Sequence, residues 1–117
     1  MIQLIESINN KATDELICLF SDDIVIETPS PLPEGSTISG QDAAVGYIKE
    51  LLHRYPSISL ETEELIGFGH RCIFRWKAHV KIDTGVELKL RGLTLFLVRE
   101  NKICEMLVYQ KKPATER

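Results

Sequence analysis

The chain has 117 residues, of which 44% are hydrophobic and 26% charged, and its formal net charge is -3. This length predicts one domain with one core, and the composition is that of an ordinary globular protein rather than a disordered one. The slightly acidic balance gives no overall reason to bind nucleic acid, and no apolar run approaches the about 18 residues that a membrane-spanning helix needs.

The N-terminal segment repeats apolar residues at spacings of three and four between Ile5 and Phe20, which is typical of helices with one buried face. The pattern breaks at Asn9 and Asn10, so we expect two short helices or one kinked helix. The segment lacks the basic and continuous apolar regions of a secretory signal, and the cytoplasm is therefore the expected compartment.

The next segment alternates between extended and helical signals. A short β-branched run at residues 24–28 predicts a strand, and the prolines that follow it predict an extended loop at the rim of the fold. A helix is then expected to begin at Ser39 or Gly40 and to end before Pro56, since proline cannot continue it.

The second half of the chain alternates apolar and polar residues with a period of two, which predicts antiparallel strands. Residues 83–85 predict a three-residue hairpin loop that ends in glycine. The resulting register pairs Trp76 with Gly92 and Phe74 with Thr94, so the Trp76 ring should cover the glycine backbone. In the last strand, Met106 points outward unless a bulge intervenes.

Three segments in this order resemble a known group of folds: LFSDD at 19–23, ISGQDA at 38–43 and RGLTLFLVRENKI at 91–103. They resemble the cone-shaped fold shared by nuclear transport factor 2, ketosteroid isomerase and the SnoaL-like polyketide cyclases. The resemblance implies an α+β fold of cystatin-like topology, in which a curved antiparallel sheet forms a cone, or α+β barrel, packed against N-terminal helices. It further implies one SnoaL-like domain over residues 1–112 and a short flexible tail at 113–117.

The resemblance and the alternation together predict an apolar pocket inside the cone. The side chains expected on its surface are Thr28, Tyr47, Phe74, Trp76, Thr94, Met106 and Val108. Such a lining suits a small hydrophobic molecule that a few polar groups orient. The alternative is that these side chains simply fill a solid core.

At the positions where relatives carry catalytic groups, the resemblance places other residues in this chain. The general base of ketosteroid isomerase corresponds to Thr28, and its oxyanion-hole tyrosine and aspartate correspond to Leu4 and Thr94. The activating aspartate of limonene epoxide hydrolase corresponds to Val108. Glu27 remains as a candidate for a relocated acid or base, because a bulge at this point would turn it into the pocket.

The outer face of the predicted sheet combines charges with an apolar band. Its basic residues face acidic residues on neighbouring strands and lack stacking aromatic neighbours, which argues against nucleic-acid binding. The apolar band consists of Ile73, Leu93, Leu95 and Leu97. A monomer would leave this apolar band exposed to solvent, so a homodimer through the outer face is expected.

Metal and cofactor signals are weak. Cys18, Cys72 and Cys104 are an odd number without C-x-x-C spacing and lie in apolar stretches, which predicts buried free thiols. No spacing of histidines and carboxylates predicts a metal ion, and no motif predicts a cofactor.

Three functions stay open from the sequence alone. The first is a SnoaL-like domain that binds a small hydrophobic molecule, with no reaction assigned. The second is an isomerase, cyclase or hydrolase with a relocated acid or base such as Glu27. The third is a protein-interaction module that uses the outer sheet face. A hollow cone would favour the first two functions and a solid cone the third.

Overall fold

The computed structural model describes residues 2–11, 13–29 and 35–111. Its helices are α1 (Ile2–Asn9), α2 (Leu16–Leu19), which follows a 3-10 turn at Thr13–Glu15, and α3 (Gln41–Arg54). Its strands are β1 (Phe20–Thr28), β2 (Ser36–Ser39), β3 (Ser57–Phe68), β4 (Arg71–Lys81), β5 (Glu87–Arg99) and β6 (Lys102–Lys111). No helix within these residues is long and apolar enough to cross a lipid bilayer. Most of the predicted proline-rich loop (30–34) and the predicted tail (113–117) lie outside the described residues.

The six strands form one curved sheet in the order β2-β1-β6-β5-β4-β3, which confirms the predicted α+β cone. The sheet is not fully antiparallel, in contrast to the prediction, because β1 and β6 run parallel. Hairpin turns set the direction of consecutive strands, but no turn joins β1 to β6. Strand β2 was not predicted either, since its short and mostly polar sequence shows no apolar alternation; it pairs with the end of β1.

The β4–β5 hairpin has the predicted register. The Ile82 N–H donates to the Val86 carbonyl at 3.0 Å, and Gly85 closes the loop with a φ of 87°. This left-handed conformation is the one that glycine adopts without steric cost. Trp76 consequently pairs with Gly92, and the remaining partners follow as predicted.

The β5–β6 hairpin contains the bulge on which the orientation of Met106 depends. Its two-residue turn has positive φ at both Glu100 (53°) and Asn101 (63°), as in a type I′ turn. Beyond the turn, Cys104 is an extra residue in the β6 register. Met106 therefore pairs with Phe96 and lies on the inner face of the sheet, where it is buried.

Helices α1 and α3 cover the inner face of the sheet, and the N-terminal segment forms two short helices, the first of the two expected arrangements. Their buried apolar side chains are Leu4, Ile5 and Ile8 of α1 and Ala44, Ile48 and Leu52 of α3. The Asn9 side chain at the end of α1 bonds to the Leu60 backbone, donating to its carbonyl (3.2 Å) and accepting from its N–H (2.6 Å). Because β3 is an edge strand, these bonds protect backbone groups that could otherwise pair with another chain.

Candidate functional site

An apolar cavity lies between the helices and the inner face of the sheet. Its volume is about 130 Å³, and α1, α3 and the four strands β3 to β6 contribute to its wall. The wall includes all but one of the side chains that were predicted for the pocket: Tyr47, Phe74, Trp76, Thr94, Met106 and Val108. The cone is therefore hollow at this point rather than solidly packed.

Thr28 and Glu27 do not lie on the described wall of the cavity. Thr28 is buried, but its hydroxyl oxygen is 2.9 Å from the Ser36 hydroxyl oxygen and belongs to the β1–β2 pairing. Glu27 is exposed, and its pairing with both neighbouring strands is regular. No bulge turns Glu27 inward, so alternation along β1 leaves it on the outer face. Glu27 therefore does not line the described cavity, in contrast to the expectation that a bulge turns it inward.

Trp76 and Thr94 form a hydrogen-bonded pair on the cavity wall. The indole Nε1–H donates to the Thr94 Oγ1 at 3.0 Å, and both side chains are buried. The ring lies against Gly92, where a Cβ atom would overlap ring carbons. Glycine at this position therefore allows the indole to lie flat on strand β5, with its polar nitrogen directed to the threonine.

The remaining polar groups on the wall are few, and the described residues give the wall no charged side chain. Its polar side-chain atoms belong to Tyr47, Tyr55, Trp76, Thr94 and Gln110. Burial raises the pKa of the Tyr47 phenol above its ordinary value of 10.0, because the phenolate would lose hydration, although the Arg54 guanidinium opposes this shift. The phenol is thus neutral near pH 7. The described wall offers hydrogen bonds but no carboxylate or imidazole as a general base.

Some wall residues were absent from the predicted pocket. Ala78, Val80 and Leu90 lie on the inner faces that alternation had already assigned, so the signal for them was present in the sequence. Gln110 pairs with Gly92 on the inner face only because the bulge at Cys104 shifts the β6 register. A local pattern does not reveal such a shift, since it depends on the pairing with β5.

The cysteines partly depart from the prediction. All three are free, and Cys18 is exposed rather than buried, whereas Cys72 and Cys104 are partly buried. Helix α2 is only one turn long and buries Leu16, so Cys18 falls on its solvent side. Burial raises the pKa of the Cys72 thiol above its ordinary value. Among the residues that the structure describes, no cluster of three or more potential metal ligands occurs.

The outer face of the sheet carries a continuous apolar row across four strands. This outer row consists of the register partners Ile66, Ile73, Leu95 and Leu107. Ile66 is 43% exposed, and the other three are partly exposed. Leu93 and Leu97 of the predicted band flank the row along β5 and are also partly exposed.

Acidic side chains contact basic strand residues and a histidine on the same outer face. Cross-strand contacts join Glu64 with Arg75 (3.4 Å), Glu61 with His79 (3.3 Å) and Glu87 with Lys81 (3.9 Å). The pairing of Lys81 with Glu87 follows the predicted hairpin register. The contacts of Arg75 and Lys81 offset part of the basic character that the sequence of β4 suggests.

Comparisons with known proteins bear on this fold. Residues 2–106 match the model of the SnoaL-like domain, whereas the comparison with curated proteins found no match. Similar solved structures include a putative SnoaL-like polyketide cyclase from Jannaschia sp. CCS1, with 13% identity and a TM-score of 0.82, covering 94% of this chain and 81% of that chain.

Two further similar structures contain bound molecules. One is a hypothetical protein with a ketosteroid isomerase-like fold from Catenulispora acidiphila, in complex with trimethylamine (14% identity, TM-score 0.79, 90% and 79% of the two chains covered). The other is a Mycobacterium tuberculosis protein in complex with estradiol-17beta-hemisuccinate (19% identity, TM-score 0.77, 91% and 86% covered). At these identities the similarity concerns the fold. Since one family model spans residues 2–106, the chain belongs to the SnoaL-like domain family.

Proposed function

We propose that this protein binds a small, mainly apolar molecule in the cavity of its cone. The observation that carries the proposal is a volume of about 130 Å³ whose described wall residues carry no charged side chain. Drug-sized ligands occupy pockets of about 300–1,000 Å³, whereas an engineered apolar cavity of about 150 Å³ accepts benzene. A ligand with one small ring therefore suits the cavity in its present size.

The similar structures support this proposal through their bound molecules. Trimethylamine, bound to the Catenulispora acidiphila protein, is smaller than benzene, and a molecule of its volume would fit into this cavity. Estradiol-17beta-hemisuccinate, bound to the Mycobacterium tuberculosis protein, exceeds that size. A steroid would require displacement of wall side chains in this chain.

The chemistry of the wall favours binding over an acid–base reaction. Leu4, Thr94 and Val108, which the resemblance aligns with catalytic positions, all lie on the wall and carry no carboxylate or phenol. Glu27, the candidate for a relocated base, faces outward. General acid–base catalysis needs a proton-transferring group within hydrogen-bond distance of the reacting atom, and the described wall side chains include no carboxylate or imidazole for this role.

Binding of toluene tests the proposal directly. The chain contains one tryptophan, so a two-dimensional NMR spectrum should show one indole N–H resonance, and Trp76 places it at the cavity. We expect toluene to shift this resonance in a saturable manner. Ala78→Leu fills the cavity wall and should weaken toluene binding at least about tenfold, a change of about 1.4 kcal/mol.

The matched control for the filled cavity is Ala43→Leu, the same substitution on the exposed face of α3. It should leave toluene binding within twofold of the unmodified protein. Absence of saturable binding in the unmodified protein, or equal binding in Ala78→Leu, would contradict the proposed site.

A second proposal concerns the outer face, which we infer to be a homodimer interface. The outer row of four apolar side chains supports it, because a two-fold axis would place the row against its own copy. Leu95→Glu should convert the dimer to a monomer in light scattering, since burying the carboxylate is costly. Leu88→Glu, on the opposite face of the same strand, is the matched control and should leave the dimer intact. A monomeric unmodified protein would contradict the interface.

We also keep the cytoplasm as the proposed compartment. The support for it is that all three cysteines are free, which is typical of a reducing compartment. Detection of the native chain in a cell fraction that lacks cytoplasmic markers would contradict it.

A further inference from the structure

The hydroxyl group of Thr94 is the most deeply placed polar group on the cavity wall, and only part of its bonding capacity is used. A hydroxyl group donates one hydrogen bond and accepts up to two. The Trp76 indole N–H, at 3.0 Å, supplies one of the accepted bonds. The indole nitrogen has no free lone pair in the ring plane, so it cannot accept the hydroxyl hydrogen in return.

The hydroxyl hydrogen of Thr94 has no acceptor among the residues that the structure describes. Thr94 is only 4% exposed, so bulk water does not readily reach it. A buried donor without a partner is costly, which means that an occupant of the cavity with a suitable oxygen gains more than an occupant without one. Donation from Trp76 also polarises the hydroxyl and strengthens it as a donor.

We propose that Thr94 determines specificity by donating a hydrogen bond to one neutral acceptor atom of the ligand, such as a carbonyl or ether oxygen. This inference rests on the proposed function and narrows its ligand class. The acceptor is neutral because the described wall has no cationic side chain to pair with a carboxylate. The ligand thus has a small apolar ring and one oxygen directed at strand β5.

Tyr47 is the competing donor on the wall. Its phenol is partly buried, lies on α3 opposite the sheet and makes no hydrogen bond within the described part of the chain. It differs from Thr94 because no neighbouring donor orients its oxygen, and because the Arg54 charge lies nearby. The variant Tyr47→Phe therefore distinguishes the two donors while it keeps the ring.

The test compares two probes of nearly identical shape, cyclohexanone and methylenecyclohexane. A methylene group in the second probe replaces the carbonyl oxygen of the first. Dissociation constants come from the indole N–H resonance of Trp76. Thr94→Val should weaken cyclohexanone about threefold to tenfold, the loss of one net hydrogen bond, and leave methylenecyclohexane within twofold. Thr94→Ser and Tyr47→Phe should both keep the preference for cyclohexanone.

A second measurement needs no variant at Thr94 and so does not depend on how that variant folds. The carbonyl carbon resonance of labelled cyclohexanone moves downfield when its oxygen accepts a hydrogen bond. We expect the bound probe to resonate downfield of its position in a hydrocarbon solvent, in the unmodified protein and equally in Tyr47→Phe. A hydrocarbon-like position would overturn the inference.

The outcomes separate the inference from the function on which it rests. If both probes bind and their ratio is the same in Thr94→Val as in the unmodified protein, Thr94 does not select the ligand, and the cavity remains a binding site. If the preference disappears in Tyr47→Phe instead, the donor is Tyr47 and the inference is wrong. If neither probe binds the unmodified protein, the proposed function fails as well.

Discussion

The contact between the Trp76 indole and the Gly92 backbone can be tested with the substitution Gly92→Ala. An added Cβ atom would overlap carbon atoms of the indole ring and the carbonyl oxygen of Tyr109. The ring can move toward the cavity, but the Tyr109 oxygen belongs to the β5–β6 ladder and cannot move without disturbing it. Overpacking of a core costs about 1–3 kcal/mol, and the fixed backbone contact places this substitution at about 2–3 kcal/mol.

Urea denaturation followed by tryptophan fluorescence measures this loss, because Trp76 is the only tryptophan and reports on its own packing. The matched control is Gly46→Ala, since Gly46 lies in the interior of α3 and an added Cβ meets no atom within 4 Å. The control should stabilise the protein by roughly 0.5–1 kcal/mol, because alanine favours a helix.

The two substitutions, identical in chemistry, should therefore change the free energy of unfolding in opposite directions. A loss below about 0.5 kcal/mol for Gly92→Ala, with an unchanged denaturant slope, would refute the placement of the indole against strand β5. A loss of the expected size in Gly92→Ala that persists unchanged in a Trp76→Phe background would locate the clash in the backbone contact alone.

Three further predictions concern packing, edge protection and thiol chemistry. Trp76→Ala should lower the free energy of unfolding by about 3 kcal/mol, as measured by denaturation followed by circular dichroism. This value is at the lower end of the range for a buried aromatic side chain, because Trp76 borders a cavity. Asn9→Ala should lower the free energy of unfolding by about 1 kcal/mol in the same measurement, because strand β3 loses two hydrogen bonds from the Asn9 side chain. Asn10 is exposed, and Asn10→Ala should change the free energy of unfolding little. Iodoacetamide should modify Cys18 before Cys72, as peptide mass spectrometry can follow, because burial shields Cys72 and raises its pKa; the reverse order would contradict the burial of that thiol.

The proposed binding function is consistent with the composition of the cavity wall. The inner faces of β4, β5 and β6 position side chains around the same space that the resemblance assigns to a reaction centre. On this wall, the positions that the resemblance aligns with catalytic groups hold Leu4, Val108 and the neutral Thr94. The described wall thus offers a shaped apolar space and a few neutral polar groups, but no carboxylate or imidazole for acid–base chemistry.

The inner face of the β4–β5 hairpin was determined by the sequence alone. Alternation with a period of two separates the two faces of each strand, and a three-residue loop ending in Gly85 sets how they pair. Both signals are local, since they involve residues near one another in the chain. The pairing of Trp76 with Gly92 and the contribution of Phe74 to the cavity wall could therefore be predicted.

The tertiary structure decided the features that depend on residues far apart in the chain. The bulge at Cys104 sets the phase of β6 against β5, and a slip of one residue would move Met106 to the outer face. The parallel pairing of β1 with β6 and the hydrogen bond between the Thr28 and Ser36 hydroxyl groups likewise form only when the strands pair in the tertiary structure. Whether apolar side chains fill the cone or enclose a cavity depends on how closely they pack. The unfilled volume is therefore fixed only when all the elements are packed around Thr94.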